Sequence, residues 1–404
     1  MSTTEMKDFA LQDLLRPDIL ADPYPIFSRL RIEDPVHWDA GEQGWIISRY
    51  DDVVSVLADR RFSAERVLSS QGYNNDANPV RAALSRQMLF LDPPDHTRLR
   101  CLFTRAFTPQ RIEGLRPRIL EMVTRLIDSA CEKRQFDFIV DFAIPLPVTV
   151  IAEMLGVPTS DRERLRAWSV AFGRLISGRV LTPQESFEAE QSILAFMDYF
   201  RDLIAERRRI PADDMISDLA AFEEQGDRLS TEELLVNLIL LLAAGHGTTT
   251  HLLGNGLLAL FRHRDQWRLL GANPSVAALA VGELLRYDGP VQLTSREALQ
   301  DLQLGGRTIA QGQRITVILG SANRDPEHFP DPDTLDLRRS SARPVSFGHG
   351  IHTCLGAALA RMEAQVAFSE LARRFPSLRL GVEKLEWAPS IAFRGLQSLP
   401  VTCV

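Results

Sequence analysis

The chain has 404 residues, 45% of them hydrophobic and 25% charged, an ordinary globular composition with room for an internal ligand site. A formal net charge of −7 argues against a nucleic-acid partner, although arginine is common enough for a basic patch on one face. The cysteines Cys101, Cys131, Cys354 and Cys403 form no C-x-x-C pair, so neither a zinc knuckle nor a disulfide framework is suggested, and a reduced, intracellular setting fits. The N-terminal stretch MSTTEMKDFALQDLL carries acids and no long apolar run, so neither a signal peptide nor a membrane anchor is expected. From 36 to 60, VHWDAGEQGWIISRY and DDVVSVLAD predict strands around a GEQG turn, then a helix. Residues 63–92 lack periodicity and are expected to form a long loop, a common home for function. Helical patterns dominate 94–280, and the longest apolar run, near Leu234 to Ala244, is too short to span a bilayer. Short strands are expected over 291–320, with turns at Gly305-Gly306 and Gln311-Gly312, then an ordered meander rich in Pro, Asp and Arg over 321–350. A last helix over 355–374 precedes a strand-like tail. With neither repeat nor linker, the expectation is one mostly-α domain, 1–404, with small β regions near both ends.

Two stretches carry the chemistry. In 347-FGHGIHTCLGAALARME-363, apolar residues at Leu355, Ala358, Leu359, Met362 and Val366 follow helical spacing, which places Cys354 at a helix N-terminus. Free N–H groups and the helix dipole there favour a thiolate. Gly348, Gly350 and Gly356 allow backbone to approach a large flat ligand or the sulfur itself. A thiolate is also an electron-donating ligand for haem iron. Taken alone, Cys354 reads better as a buried structural cysteine beside a glycine turn. The whole string decides. F-G-x-G-x-H-x-C-x-G, spelled by Phe347, Gly348, Gly350, His352, Cys354 and Gly356, resembles the haem-ligand loop of the cytochrome P450 family.

The resemblance runs along the whole chain. The family's Glu-x-x-Arg is matched by 283-ELLR-286, whose acid and base share a helix face and can pair. Its third partner matches Arg339, and the triad's implied role is structural. The stretch 95-DHTRLR-100 resembles the helix that gives His96 and Arg100 to the haem propionates; Arg296 and His352 match the other two propionate contacts.

The second stretch is 243-AAGHGTTTH-251. Ser230 and Glu233 form a capping box, and the apolar pattern then continues to about His263, roughly 30 residues and roughly 45 Å. Each internal glycine costs about 1 kcal/mol against alanine, and glycine beside hydroxyl residues is a recognised cause of kinks. A kink would open a groove for dioxygen. Against the family pattern A-G-x-(acid)-T, Ala244, Gly245 and Thr248 match, but the acid's position is Gly247. A water chain or a substrate hydroxyl would then have to bring protons, unless the acid is dispensable. His246 and His251 flank the gap five apart, off a common face and outside any H-E-x-x-H, so packing or solvent contact is expected of them rather than zinc.

The resemblance implies a mostly-α P450 fold with a long central helix over haem b, Cys354 as the iron ligand, Phe347 and Gly348 in its loop, and Ala244, Gly247 and Thr248 at the dioxygen groove. It implies insertion of one oxygen atom of O2 into a C–H bond of a mid-sized lipophilic substrate. The phrases 289-GPVQ-292 and 395-GLQSLPV-401 resemble the macrolide- and polyketide-tailoring branch. Electrons are expected from a separate ferredoxin and ferredoxin reductase, and the protein is expected to be a cytoplasmic monomer. A peroxide-driven or rearranging haem-thiolate enzyme, and a haem-binding protein without turnover, are the alternative classes. Residues 63–92, Leu240, Ala243, Val291 to Thr294 and Ile391 to Leu396 are expected to line the substrate.

Overall fold

A computed structural model describes residues 6–65, 79–175, 181–224, 229–340 and 343–403. In chain order, helix α1 covers Tyr24–Glu33, strands β1 and β2 cover Val36–Asp39 and Gly44–Ile47, and helix α2 covers Tyr50–Ala58. Strand β3 (Phe62–Ser63), helix α3 (Asp95–Ala106), strand β4 (Gln135–Asp137), helix α4 (Thr231–Arg262) and helix α5 (Ala277–Asp288) follow, with further helices among them. The C-terminal part holds β5 (Leu293–Ala298), β6 (Leu302–Leu304), β7 (Arg307–Ile309), β8 (Arg314–Ile318), helix α6 (Ala357–Arg374), β9 (Arg379–Leu380), β10 (Glu386–Trp387), β11 (Leu396–Ser398) and β12 (Pro400–Thr402). The expected mostly-α fold with small sheets is what forms.

The chain divides into two compact units. One comprises Met1–Ser63, Leu120–Ala143 and Thr248–Val404; the other comprises Ala64–Ile119 and Ile144–Gly247. The first holds a five-stranded sheet in the order β1-β2-β8-β5-β3, with β2 and β8 parallel and the other neighbours antiparallel. Its strands follow from alternating β-branched residues: Val36, Ile47, Ile315 and Val317 pack on Val53 and Val56 of α2 in one buried cluster. Gly305, Gly306 and Gly312 all take positive φ at the expected turns.

The second unit is helical. The stretch 63–92 is not one loop: Pro79–Leu84 is helical and Met88–Phe90 forms a 3₁₀ turn, while residues 66–78 lie outside the described residues. The order there comes from distant partners. The Gln87 side chain donates to the Val236 carbonyl (3.0 Å), and the Met88 N–H donates to Asn237 Oδ1 (2.9 Å). Local periodicity carries no trace of such bonds.

Helix α4 starts at the expected capping box. The Ser230 N–H donates to Glu233 Oε2 (2.9 Å), and the Glu233 N–H donates to Ser230 Oγ (3.2 Å). Arg98 of α3 pairs with the same carboxylate. Burial pulls the Glu233 carboxyl up, but Arg98 and Ser230 together hold it below its ordinary value. The helix runs unbroken for 32 residues through Gly245 and Gly247, so the expected kink does not appear as an interruption. It is long and apolar enough to cross a bilayer, unlike the shorter apolar run within it, yet 72% of its most apolar window is buried inside the protein.

The Glu-x-x-Arg motif lies on α5 and is wholly buried. Arg286 grips Glu283 with two bonds, Nε to Oε2 at 2.7 Å and Nη2 to Oε1 at 2.8 Å. Its remaining donors reach the carbonyls of Asn323 (3.1 Å), Pro332 (2.7 Å) and Thr334 (3.1 Å). Arg339 Nε closes the triad on Glu283 Oε1 at 3.2 Å, and the Asp336 N–H donates to the same oxygen at 3.0 Å. One ion pair therefore ties the meander to α5.

A second buried acid stands in contrast. Glu363, on α6, is 1% exposed, and among the described residues nothing hydrogen-bonds its Oε2. Burial pushes its carboxyl well above the usual range, which favours the neutral acid in the folded chain.

Two outcomes follow from these acids. Glu283→Ala leaves Arg286 charged and buried, which should cost about 3–5 kcal/mol; denaturant unfolding with a parental midpoint would contradict this. For Glu363 the folded pKa is raised, so its contribution is fully present below the unfolded value, about 4.3, and is lost as pH rises towards the folded value. Glu363→Gln mimics the neutral acid at every pH. Its stability advantage over the parent should grow as pH rises above the unfolded value of about 4.3, by up to about 1.4 kcal/mol per pH unit; a pH-independent difference in thermal midpoint would count against a buried neutral Glu363.

Candidate active site

The Cys354 loop is built by its own backbone. The Gly348 N–H donates to the Val345 carbonyl (2.8 Å), the Thr353 N–H to Gly350 (3.2 Å), and the Cys354 N–H to Phe347 (2.9 Å). Gly348 and Gly350 both sit at φ +73°. At Gly350 a side chain would also collide with the Leu57 carbonyl. Phe347, Gly348, His352 and Cys354 are thus brought into one closed turn.

The turn is anchored to the triad. Asn323, whose carbonyl accepts from Arg286, donates from Nδ2 to Ser346 Oγ (2.8 Å) and accepts the Val345 N–H at Oδ1 (2.7 Å). Ser346 Oγ in turn donates to the Leu285 carbonyl (2.8 Å). The residues just before Phe347 are therefore fixed from two sides, by α5 and by the meander.

Cys354 is exposed, which removes the alternative of a buried structural cysteine. Its place differs from expectation. Helix α6 begins at Ala357 with Gly356 as N-cap, so Cys354 lies two residues outside the cap. Helix-terminus effects fade within the first turn, so the dipole is a smaller influence on the sulfur than its spacing suggested. The cation near it is Arg361. Burial pulls the Arg361 pKa down, the charge of Cys354 partly restores it, and the guanidinium lies 4.5 Å from the centroid of Phe347. Arg361 and Glu363 were missed in the sequence. Arg361 is detectable there as the residue two helical turns beyond Cys354, and Glu363 as an acid among apolar neighbours.

The remaining expected residues fall in three places. His96 is buried and Arg100 half-buried, one turn apart on α3. Arg296 is buried on β5, opposite Ile315 of β8, and its Nη1 donates to the Ser295 carbonyl (2.8 Å). Ala244, Gly247 and Thr248 share one face of α4 at i, i+3 and i+4.

That face is open where the helix around it is closed. Residues 234–243 are all buried, yet Ala244 is exposed. A Cβ at Gly247 would meet no heavy atom within 4 Å, whereas one at Gly245 would press on Ile151 at 3.1 Å. The groove comes from missing side chains rather than from a break in the helix. His246 points away from it, into the core. Its Nδ1 lies 3.4 Å from the Leu242 carbonyl, and burial pushes its pKa down to about 4, so it is a neutral packing residue as expected.

Haem b fits this chemistry. It requires an accessible thiol, cations for two carboxylates and space beside a helix. The first unit by itself offers an exposed Cys354 in a fixed turn, with Arg296 and His352; the second by itself offers His96 and Arg100, and an open helix face at Ala244 and Gly247. Two segments expected to line the substrate also pair. Val291 bridges Phe393, the Gln292 N–H donates to Ala392 (2.8 Å), and the Arg394 N–H donates to Pro290 (2.8 Å).

The comparisons with known proteins agree. The family model Cytochrome P450 matches residues 36–269 and 276–383. Cytochrome P450 monooxygenase PikC of Streptomyces venezuelae is 41% identical over 399 residues, spanning 96% of this chain and 92% of that protein. The structure of P450BioI in complex with a hexadec-9Z-enoic acid-ligated acyl carrier protein superposes with a TM-score of 0.89 at 39% identity, covering 96% of this chain and 100% of that one. The Bacillus subtilis 168 bacillaene polyketide synthase P450 PksS gives 0.88 at 39%, covering 98% and 99%. The chain belongs to the cytochrome P450 family and is a haem b monooxygenase of the bacterial type.

Proposed function

We propose that this P450 inserts one oxygen atom of O2 into a C–H bond of a mid-sized lipophilic secondary metabolite of polyketide type. The observation that carries the reading is the exposed thiol of Cys354 in a turn locked to the buried Glu283–Arg286 pair. Haem b, once bound, supplies an iron centre that activates dioxygen. Cys354 would hold that iron as thiolate, a ligand that donates electron density. Arg100, Arg296, His96 and His352 take the two propionates, because charge-assisted bonds of this kind are about twice as strong as neutral ones. Phe347 and Gly348 shape the turn that presents Cys354. Thr248 would hold and pass on a proton at its hydroxyl, while Ala244 and Gly247 leave room beside it. The paired segments around Val291 and Phe393 would present apolar surface to the substrate, whereas Leu240 and Ala243, expected beside them, are buried.

The substrate class is supported by relatives. PikC is 41% identical, and PksS is named for polyketide biosynthesis. P450BioI carries an acyl chain on a carrier protein, so acyl substrates are the competing class. A separate ferredoxin and ferredoxin reductase supply the electrons, and the 404 residues work as one cytoplasmic, monomeric haem domain.

The test is a panel of macrolactones and free fatty acids, scored first by the Soret shift each induces and then by product formed with a surrogate ferredoxin, reductase and NADPH. Macrolactone oxidation faster with the redox partners than with peroxide alone is expected. Turnover of fatty acids only would move the substrate class, and turnover with peroxide alone would replace the monooxygenase cycle.

A further inference from the structure

The open face of α4 continues one turn further than the family pattern. Ala244, Gly247, Thr248 and His251 stand at i, i+3, i+4 and i+7, a single stripe along one helix. His251 is off the face of His246, but it is on the face of the groove. Helical side chains lean towards the N-terminus, so an imidazole at 251 leans towards the turn that holds 247 and 248. Residues three and four apart on a helix have Cβ atoms about 5–6 Å apart, within reach of one bridging water.

The other side of the ring is walled. A Cβ at Gly395 would overlap the His251 imidazole, so the backbone of Gly395 lies directly against it. That wall is fixed. Asn255, one turn beyond His251, donates from Nδ2 to the carbonyls of Arg394 (2.9 Å) and Asp288 (3.2 Å), and the Ala388 N–H donates to the Gly395 carbonyl (2.9 Å). Arg394 is itself paired with Asp288 at 2.6 Å. The ring cannot retreat from the helix without moving a buried ion pair. No heavy atom, the His251 ring included, lies within 4 Å of the missing Gly247 Cβ, which leaves space for a water there.

We propose that His251 is the group that supplies protons to Thr248, in the role vacated by the acid at position 247. It is a positioning residue, acting through the Thr248 hydroxyl rather than on dioxygen itself. In each transfer the imidazolium gives up one N–H proton, directly or through a water in the Gly247 space, to Thr248 Oγ1. The hydroxyl's own proton leaves towards dioxygen, and the imidazole takes a replacement from solvent. The step moves no electrons, which the redox partner supplies separately. Histidine suits this work because its ordinary pKa lies near neutrality. The proposal rests on the monooxygenase reading above.

The experiment uses the full holoprotein with its surrogate redox partners and four forms: parent, His251→Asn, His251→Gln and His251→Asn with Gly247→Glu. The reduced carbon monoxide band is recorded first; its absence in the parent would defeat the haem-thiolate reading and leave His251 out of account. With the band intact in all four, His251→Asn and His251→Gln should lower the rate of product formation about 10²-fold, the low end for a positioned proton donor, with electrons diverted to hydrogen peroxide. The infrared C–O stretch of the carbon monoxide complex should shift in both, reporting the changed groove without turnover. Restoring the acid in the His251→Asn background should recover product per NADPH, which a purely structural histidine would not permit. Parental coupling and an unmoved C–O stretch in His251→Asn, or a double variant as uncoupled as the single one, would overturn the assignment.

Discussion

The buried pair between Glu283 and Arg286 is the constraint on which the rest of the first unit depends. Two charges removed from water are destabilising unless every donor and lone pair is met. Here Arg286 spends its donors on Glu283 and on the carbonyls of Asn323, Pro332 and Thr334, while Glu283 also receives Arg339 and the Asp336 N–H. A long, otherwise irregular segment thereby gains one conformation. Asn323 passes that order on to Val345 and Ser346, and the turn that presents Cys354 begins at the next residue.

A thiol in this position has to be exposed and fixed at once. The glycines at 348 and 350 let the backbone close into the turn that presents it. The fixing comes from three backbone bonds within the turn and from the Asn323–Ser346 anchor behind it. The long helix solves a matching problem by omission. Its buried leucines and their neighbours hold it in the core, and its small residues leave one open stripe at Ala244 and Gly247. The stability lost to two internal glycines is offset by burial on the other faces, where each large aliphatic side chain contributes about 1.5–3 kcal/mol.

Much of this was legible in the sequence, and the pattern of what was not is physical. The cysteine turn, the Glu-x-x-Arg pair, the Ser230 capping box and the strands around Gly305 and Gly312 are encoded by short-range spacing. The helical pieces inside 63–92 depend on Val236 and Asn237, nearly 150 residues away. Asn323 and Ser346 are single ordinary polar residues, and only the fold shows that they join the triad to the turn. The start of α6 moved from 355 to 357 because the backbone of the cysteine turn, with Gly356 as cap, competes with the first helical residues. His251 was set aside for being five from His246. The informative spacing was to Gly247 and Thr248, and the second signal, Gly395, is 144 positions away.

The central claim is that Cys354, and no other cysteine, is the thiolate this fold was built to present. The most direct measurement is the reduced carbon monoxide difference spectrum of the parent beside Cys354→Ala, Cys101→Ala, Cys131→Ala and Cys403→Ala. The account predicts the long-wavelength band typical of thiolate ligation in the parent and in the last three variants, and its loss in Cys354→Ala. Persistence of that band in Cys354→Ala would contradict the account, since no rearrangement of the turn could then explain the ligand.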